Sequence, residues 1–330
     1  MFESDPNISI QNNVKGIRDI IILKMSDTLL DNIVFAKTIK NISIYNASRV
    51  TSELAPSLLE ALRLSHQYPE RINIVPNYKL DDETTLYIII CPAGLGSEFS
   101  HQGPIYYVTY QLDPGLPAPA FSRDTYLKFL SGAIYNWDYS NKNAEYLKKE
   151  HVINTLYVPP GFTHSLSTGD LTNGSYIYSE NDKQIDVLFL GWDIHERRRL
   201  IRDALYGSGL RIWFVSHLDT EAMKQAIRKS KICLNLHYMD KLPCLETIRL
   251  NILLSNQACI VSEDIDDPEI NIYKDAVTVV PYDKIVQTCV DLVGDPTRRR
   301  RMALTSYQWY RSQREWSNIV DFNKLLPDLE

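Results

Sequence analysis

The chain has 330 residues, of which 44% are hydrophobic and 23% charged, so it is long enough for two domains of ordinary globular composition. Its formal net charge of −6 disfavours a broad nucleic-acid-binding surface, because such a surface needs clustered lysine and arginine. No apolar run approaches the roughly 20 residues that a membrane span requires. These properties predict a protein with no membrane span and with no nucleic acid among its partners.

The cysteines indicate a reducing compartment. They are scattered, odd in number and without a CxxC pair, and they are Cys91, Cys233, Cys244, Cys259 and Cys289. Such a pattern predicts buried, reduced thiols rather than disulfides or a zinc site. Residues 1–13 are acidic and polar, which is not the composition of a signal peptide. We therefore expect a cytoplasmic protein.

The N-terminal half alternates between apolar runs and amphipathic stretches. The predicted strands are 16–24, 42–48, 71–77 and 84–96, and the predicted helices are 29–39 and 53–69. This alternation is typical of a parallel sheet covered by helices. Ligands bind beyond the carboxyl ends of such strands. The loop after the fourth strand therefore predicts a pocket lining, with a tight glycine turn as the alternative; its residues of interest are Gly94, Gly96, Glu98 and His101.

A second strand end carries an acid. The run IYYVTYQLDPG ends at Asp113, and an acidic side chain at this place is a candidate general base. An Asp beside a Pro-Gly turn is also ordinary turn chemistry. Farther along, Trp137 and Tyr139 predict core packing. The polar stretch 162–182, rich in Ser, Thr, Gly and Asn, predicts an inter-domain linker or an exposed loop.

The C-terminal half repeats the strand and helix alternation. The strand IDVLFLG ends at Gly191 and is followed by a helix that starts with arginines, a pattern that predicts an anion clamp. We favour Arg197 for that role over its neighbours Arg198 and Arg199, which could equally be solvated surface charge. The strand KICLNLH brings Asn235 and His237 to its carboxyl end, where His237 is either a ligand contact or a satisfied core histidine.

The most informative stretch is 231–264, which predicts a strand, a loop, a helix and a strand. Its helix is apolar on nearly every face yet carries Glu246 and Arg249, and charges removed from water need a partner or a use. Either the two residues pair with each other one turn apart, or they face a ligand with phosphate and hydroxyl groups. Asn256 predicts a left-handed helix end, and Glu263 ends the following strand.

The residues LNLHY and LETIRLNILLSNQACIVSED resemble the donor-side helix of GT-B glycosyltransferases, and are most similar to the family 1/4-like enzymes of large DNA viruses and bacteria. The segment WDYS and the turn VPPG also resemble that group. The resemblance implies an acid, here Glu246, that holds hydroxyls of a nucleotide-sugar, and a second donor-facing acid at Glu263. It also implies a last helix that crosses back to the first domain.

The sequence departs from that pattern at three positions. Many retaining relatives carry a second Glu later in the helix, where this chain has Asn251, an amide that can bind hydroxyls without a charge. Relatives also place an Arg directly after the strand-end glycine and a Lys five residues on, where this chain has Trp192 and Arg197. These departures leave the donor sugar and the stereochemistry of the reaction open.

Together these features predict an α/β fold of two Rossmann-like domains that face each other across a cleft. The expected acceptor-binding domain is 1–161, the linker 162–184, the nucleotide-sugar-binding domain 185–305 and the crossing segment 306–330. The expected activity is metal-independent transfer of a hexosyl or pentosyl group to a glycan or glycoprotein, without a cofactor, because no DxD-type pair lies at a strand end. The alternatives are a silent binding protein and an epimerase-type enzyme.

Each predicted site residue has an expected role. The catalytic residues are Asp113, as base, and Glu246. The donor-binding residues are Gly191, Arg197, Asn235, His237, Glu246, Arg249, Asn251 and Glu263, and the acceptor-side residues are Gly94, Gly96, Glu98 and His101.

Overall fold

A computed structural model describes residues 39–48, 51–66, 69–98, 103–115, 123–168, 178–238 and 243–326. The predicted strand at 16–24 and nearly all of the predicted helix at 29–39 lie outside these ranges. All five cysteines are buried and unpaired. None of the helices within the described ranges is long and apolar enough to cross a membrane.

The first half of the chain forms a parallel sheet of six strands in the order β2-β1-β3-β4-β5-β6. Every residue of β3 is buried, as its unbroken apolar run TLYIII predicts for a strand covered on both faces. The strands are β1 Asn41–Asn46, β2 Ile72–Ile74, β3 Thr85–Ile90, β4 Tyr106–Gln111, β5 Tyr135–Asp138 and β6 Thr155–Tyr157, and the helices are α1 Leu54–Ser65, α2 Arg123–Gly132 and α3 Asn141–His151.

The second half forms a five-stranded parallel sheet in the order β11-β10-β9-β7-β8. The strands are β7 Ile185–Leu190, β8 Ile212–Val215, β9 Ser230–Asn235, β10 Ile260–Glu263 and β11 Thr278–Val280. The helices are α4 Glu196–Gly207, α5 Thr220–Arg228, α6 Thr247–Ser255, α7 Ile270–Tyr273, α8 Ile285–Val293, α9 Pro296–Gln313, α10 Trp316–Ile319 and α11 Phe322–Leu325.

Both sheets contain a point at which the strand order reverses. In the first sheet β1 lies between β2 and β3, and in the second β7 lies between β8 and β9. The loops that follow β1 and β3, and those that follow β7 and β9, therefore diverge to opposite faces of their sheets and leave a crevice between them. The topology thus provides one crevice at the carboxyl edge of each sheet.

The chain passes between the two halves twice, and the two passages contact each other. The Phe162 N–H donates to the Arg314 carbonyl at 2.6 Å, and the Trp316 N–H donates to the Phe162 carbonyl at 3.0 Å. After this contact, Trp316 and Phe322 are fully buried in the core of the first half. Because α9 already ends at Gln313, the return is made by a short connection and two single-turn helices rather than by one continuous helix.

One local prediction is wrong, and two side chains are buried without a clear sign in the sequence. Phe162, the first residue of the predicted linker or exposed loop, is 1% exposed, because it packs beneath the returning chain. Asn256 has a φ of −123°, and Gln257, with a φ of 50°, takes the left-handed conformation instead. The Asn256 side chain bonds the carbonyls of Leu166 and Ile252. In the run of four arginines at 298–301, Arg299 is buried and donates to the C-terminal carbonyls of α8.

The double passage requires glycine at position 161. A Cβ there would lie 2.6 Å from the Trp316 Cα and 2.8 Å from the Arg314 carbonyl oxygen, both main-chain atoms that cannot rotate away. We expect Gly161→Ala to lower the free energy of unfolding in urea by about 1–3 kcal/mol, the usual cost of overpacking.

Gly207 provides the matched control. It is the last residue of α4 and has no atom within 4 Å of an added Cβ. Gly207→Ala should leave the free energy of unfolding unchanged or raise it by up to about 1 kcal/mol, because alanine is the better helix former. Equal effects of the two substitutions would contradict this account of the passage.

Candidate active site

A cavity of about 410 Å³ lies between the carboxyl edges of the two sheets. Its first wall comes from the loops after β1, β3 and β4, and its second wall comes from the loops after β7, β8 and β9 together with the start of α6. Both strand-order reversals therefore open into the same cavity, which is where ligands bind in open α/β sheets. We call these two surfaces the N-terminal wall and the C-terminal wall.

Two arginines line the C-terminal wall, of which Arg198 is buried and Arg249 is nearly so, with 10% of its side chain exposed. Arg198 is 2% exposed, and its Nε donates to the His237 carbonyl at 3.2 Å. Its Nη1 donates to the Trp192 carbonyl at 2.9 Å and its Nη2 to the Leu236 carbonyl at 2.8 Å. The guanidinium thus connects the main chain after β7 to the main chain after β9.

Arg249 makes the same kind of connection from α6. Its Nε donates to the Leu190 carbonyl at 2.6 Å, and its Nη1 donates to the Leu236 carbonyl and to the Asn235 side-chain oxygen at 3.0 Å each. Gly191, with a φ of 153°, allows this approach, because a Cβ at that position would lie 3.1 Å from the Arg249 Nη2. Glycine therefore suits position 191 for two reasons: it adopts the positive φ, and it leaves room for the Arg249 guanidinium.

Glu246 lies between the two arginines. Its Oε1 is 3.5 Å from Arg198 Nη2, its Oε2 is 3.6 Å from Arg249 Nη2, and both guanidinium carbons lie over the Phe189 ring at 5.0 and 4.8 Å. Glu246 is also the N-cap residue of α6, so the positive end of that helix adds to the local field. One carboxylate for two guanidinium groups leaves an excess of positive charge in the C-terminal wall.

Burial weakens the proton affinity of both arginines without discharging them. Burial, followed by the charge of Arg249, lowers the pKa of Arg198 to about 10. Burial also lowers the pKa of Arg249, against the attraction of the Glu246 carboxylate. Both groups therefore remain cations near neutral pH, and the C-terminal wall attracts anions.

Asp113 faces this group from the N-terminal wall. Burial, and then the Glu246 carboxylate, raises the pKa of Asp113, while its contact with the Cys91 thiol opposes that rise. The Cys91 Sγ donates to the Asp113 Oδ2 at 3.7 Å. Asp113 and Glu246 both line the cavity, from opposite walls, so they belong to one site.

Three of the predicted donor-side residues form a separate ionic group. Arg197 binds the Glu263 carboxylate with both Nη atoms, and the His237 Nδ1 is 2.9 Å from the Glu263 Oε2. Burial opposes ionisation of Glu263, but hydrogen bonds from His237 and Arg197 lower its pKa. None of the three lines the cavity. The prediction that favoured Arg197 over Arg198 thus differs from the structure, in which Arg198 reaches the cleft.

The remaining predicted donor-side residues are divided between the site and the core. The Asn235 side-chain oxygen accepts a hydrogen bond from Arg249, and its Nδ2 donates to the Ser262 hydroxyl at 3.2 Å. Asn251 is 1% exposed and accepts a hydrogen bond from the Tyr310 hydroxyl at 2.8 Å, so it joins α6 to α9 away from the cavity. The position at which relatives carry a second acid is therefore used here for helix packing.

The predicted acceptor-side loop is only partly described. Gly94 lines the cavity, and a Cβ there would lie 2.5 Å from the Ala47 carbonyl oxygen, which explains the glycine. The backbone of Gly96 and Glu98 continues a 3₁₀ helix, Pro92–Glu98. His101 lies outside the described ranges.

Two charged residues of the cavity are not among the predicted site residues. Arg198 was ranked below Arg197, and Glu53 was not singled out. Glu53 lies at the start of α1, is 5% exposed and lines the N-terminal wall. Burial raises the pKa of Glu53 to about 7. A helix start contains acidic residues so often that the sequence alone gives no sign of this burial.

Within the described ranges, no group of three or more His, Cys, Asp or Glu side chains is arranged to hold a metal ion. The prediction that the reaction needs no metal therefore stays a prediction.

Two parallel α/β units that face each other across a ligand-sized cleft define the GT-B fold, and solved structures support this class. T4 phage beta-glucosyltransferase matches with a TM-score of 0.56 at 16% identity, over 86% of this chain and 98% of that one. An alpha-glucosyltransferase solved with UDP and a 13-mer DNA containing an HMU base matches with a TM-score of 0.53 at 10% identity, over 87% and 98%.

A third similar structure is the sucrose-phosphate synthase of Thermosynechococcus elongatus, with a TM-score of 0.51 at 10% identity, over 87% of this chain and 98% of that one. By sequence, no protein-family model and no curated protein matches the chain. Identities this low establish the fold alone, and they confirm the predicted two-unit α/β architecture.

The buried carboxyl of Glu53 makes stability depend on pH. Its pKa is raised from 4.5 to about 7, so its contribution to stability is complete below pH 4.5 and is lost as pH rises through about 7. Between about pH 5 and about pH 8, this ionisation should cost the wild type roughly 2 kcal/mol of unfolding free energy. Glu53→Gln should not show that loss.

Urea unfolding at the two pH values measures this difference. Glu70→Gln is the control, because the Glu70 side chain is 68% exposed and its substitution should preserve the wild-type pH dependence. An unchanged pH dependence in Glu53→Gln would show that Glu53 is not the group responsible.

Proposed function

We propose that this protein is a glycosyltransferase that moves a sugar from a nucleotide-sugar to a saccharide acceptor, a glycan or a glycoprotein. The observation that carries the proposal is the buried excess of positive charge formed by Arg198, Arg249 and Glu246 at the start of α6. Paired buried guanidinium groups suit a diphosphate, and the GT-B fold provides the facing second wall for an acceptor. Two of the enzymes of similar fold were solved with UDP or with UDP-glucose, which supports the same class of donor.

In this proposal the C-terminal wall holds the donor. The diphosphate contacts the Nη groups of Arg198 and Arg249 and the first N–H groups of α6, where the helix dipole favours an anion. The carboxylate of Glu246 accepts hydrogen bonds from sugar or ribose hydroxyls. As the bond from the anomeric carbon to the diphosphate oxygen breaks, the two guanidinium groups stabilise the negative charge of the leaving group, so no divalent metal is needed.

The N-terminal wall holds the acceptor and the base. The Asp113 carboxylate removes the proton from an acceptor hydroxyl while the acceptor oxygen bonds to the anomeric carbon. Because burial and Glu246 raise the pKa of Asp113, the transfer rate should rise with pH as this carboxyl ionises. The five buried, unpaired cysteines support a reducing, cytoplasmic place of action.

The donor assignment predicts a selective loss of phosphate binding in Arg198→Gln. Removing a buried guanidinium next to a diphosphate should weaken nucleoside diphosphate binding at least about tenfold, since charged hydrogen bonds contribute roughly 1.5–3 kcal/mol. The affinity for the matching nucleoside, which has no phosphate, should change little. Calorimetric titration with UDP, GDP and ADP, and with the corresponding nucleosides, measures both quantities.

Arg202→Gln is the matched control for that titration. Arg202 lies one turn farther along α4, pairs with Asp193 and Asp203, and does not line the cavity. It should bind nucleoside diphosphates like the wild type. Equal affinity for diphosphates in Arg198→Gln and the wild type would refute the donor assignment, and so would equal losses for nucleoside and diphosphate.

The base assignment predicts that Asp113→Asn abolishes transfer but not donor binding. The amide cannot accept the proton, and loss of a general base costs about 10²–10⁴ in rate. Release of nucleoside diphosphate from the matching nucleotide-sugar, with acceptor present, gives the rate, and calorimetry gives the donor affinity. Transfer at the wild-type rate would eliminate Asp113 as the base. If the wild type also fails to turn over the donor, the result would favour a silent binding protein instead of an enzyme.

A further inference from the structure

The turn between β1 and α1 presents polar groups to the N-terminal wall. The Asn46 side chain shapes this turn, since its Nδ2 donates to the Thr51 carbonyl at 2.7 Å and its Oδ1 accepts the Ser48 N–H at 3.1 Å. Ser48, Thr51 and Glu53 all line the cavity. Two hydroxyl residues and one carboxyl therefore lie on one wall, in a turn held by an internal hydrogen-bond frame.

Glu53 is the unusual member of this turn. Although it is 5% exposed, its Oε2 has no hydrogen-bond partner among the described residues, and no described cation pairs with it. Buried polar atoms nearly always have a partner, because an unpaired one costs free energy. An unpaired carboxyl oxygen in the wall of a ligand-sized cavity indicates that the ligand supplies the missing hydrogen bond.

The charges of the two walls indicate what kind of ligand this is. Among the described lining residues, the N-terminal wall carries the acids Glu53 and Asp113 and no lysine or arginine, whereas the C-terminal wall carries Arg198 and Arg249. A phosphodiester placed against the N-terminal wall would meet two acids and no cation, which is unfavourable. A neutral compound with several hydroxyls would find hydrogen-bonding partners there without charge repulsion.

We propose that Glu53 is a specificity-determining residue that selects an uncharged polyhydroxyl acceptor, such as a free saccharide, by hydrogen bonding to one of its hydroxyls. This inference rests on the proposed function, which makes the N-terminal wall the acceptor side. The raised pKa of Glu53, about 7, supports it, because a carboxyl that is partly neutral can both donate to and accept from a sugar hydroxyl.

The test is saccharide binding in the presence of saturating UDP. Glucose, galactose, maltose and lactose are titrated into the full chain, and into Glu53→Leu, Glu53→Gln and the exposed control Glu70→Leu. We expect at least one saccharide to bind the wild type. The Leu substitution at 53 should weaken that binding at least about tenfold, while Gln, which also donates and accepts, should keep it within about threefold. Glu70→Leu should match the wild type.

A purely structural role for Glu53 predicts different results. In that case Glu53→Leu would weaken the binding of UDP and of the saccharide together, whereas the proposal predicts weaker saccharide binding alone. If Glu53→Leu does not fold, a crystal of the wild type soaked with the bound saccharide decides the point. A sugar hydroxyl within hydrogen-bond distance of the Glu53 carboxyl supports the proposal, and a sugar bound elsewhere overturns it.

If the wild type binds UDP, the donor assignment stands, and three outcomes then overturn the inference about Glu53 alone. They are wild-type saccharide affinity in Glu53→Leu, equal losses in the Leu and Gln variants, and binding of a DNA duplex with hydroxymethylated pyrimidines while no saccharide binds. Absence of binding to UDP, GDP and ADP would instead remove the proposed function itself. The two failures are therefore distinguishable.

Discussion

The cleft depends on two buried arginines that bind main-chain carbonyls where strands β7 and β9 end. At these places the sheet ladder stops and the last carbonyls need new donors. Arg198 and Arg249 supply them, and they share the Leu236 carbonyl. The same two side chains bring the positive charge to the cavity. The two arginines therefore contribute both to the shape of the C-terminal wall and to its electrostatic potential, since each binds strand-end carbonyls and contacts the Glu246 carboxylate.

This arrangement explains why an apolar helix can carry ionic groups. Most of α6 is buried against the core of the second half, and its first turn lies at the cleft. Glu246 and Arg249 do interact one turn apart, as the simplest interpretation of their spacing predicts. Neither residue interacts with the other alone, however. Arg249 also donates to the backbone, and Glu246 also contacts Arg198. The two alternatives raised by the sequence are thus compatible.

The sequence predicts the large features well because they follow from long patterns. The parallel sheets arise from alternating apolar runs, and the special character of α6 follows from two charges in an apolar context. The choice between Arg197 and Arg198 does not follow from such a pattern. Successive residues on a helix point about 100° apart, so the side chain that enters the cleft depends on where α4 begins and how it is rotated. Glu53 was missed for a related reason, since its burial depends on a wall formed by residues from distant parts of the chain.

The placement of Asn251 and Glu263 concentrates the proposed donor contacts in a small region. The Asn251 amide is neutral and accepts the Tyr310 hydroxyl, and the Glu263 carboxylate is paired with Arg197 and contacts His237, so neither offers an unpaired charge to a ligand. Of the acids that the resemblance implies on the donor side, Glu246 alone lines the cavity. Recognition of the donor hydroxyls would then rest on a single carboxylate held between two guanidinium groups. After burial, that carboxylate is the second cause of the raised pKa of Asp113, so the same residue would connect the proposed donor contacts electrostatically to the proposed base.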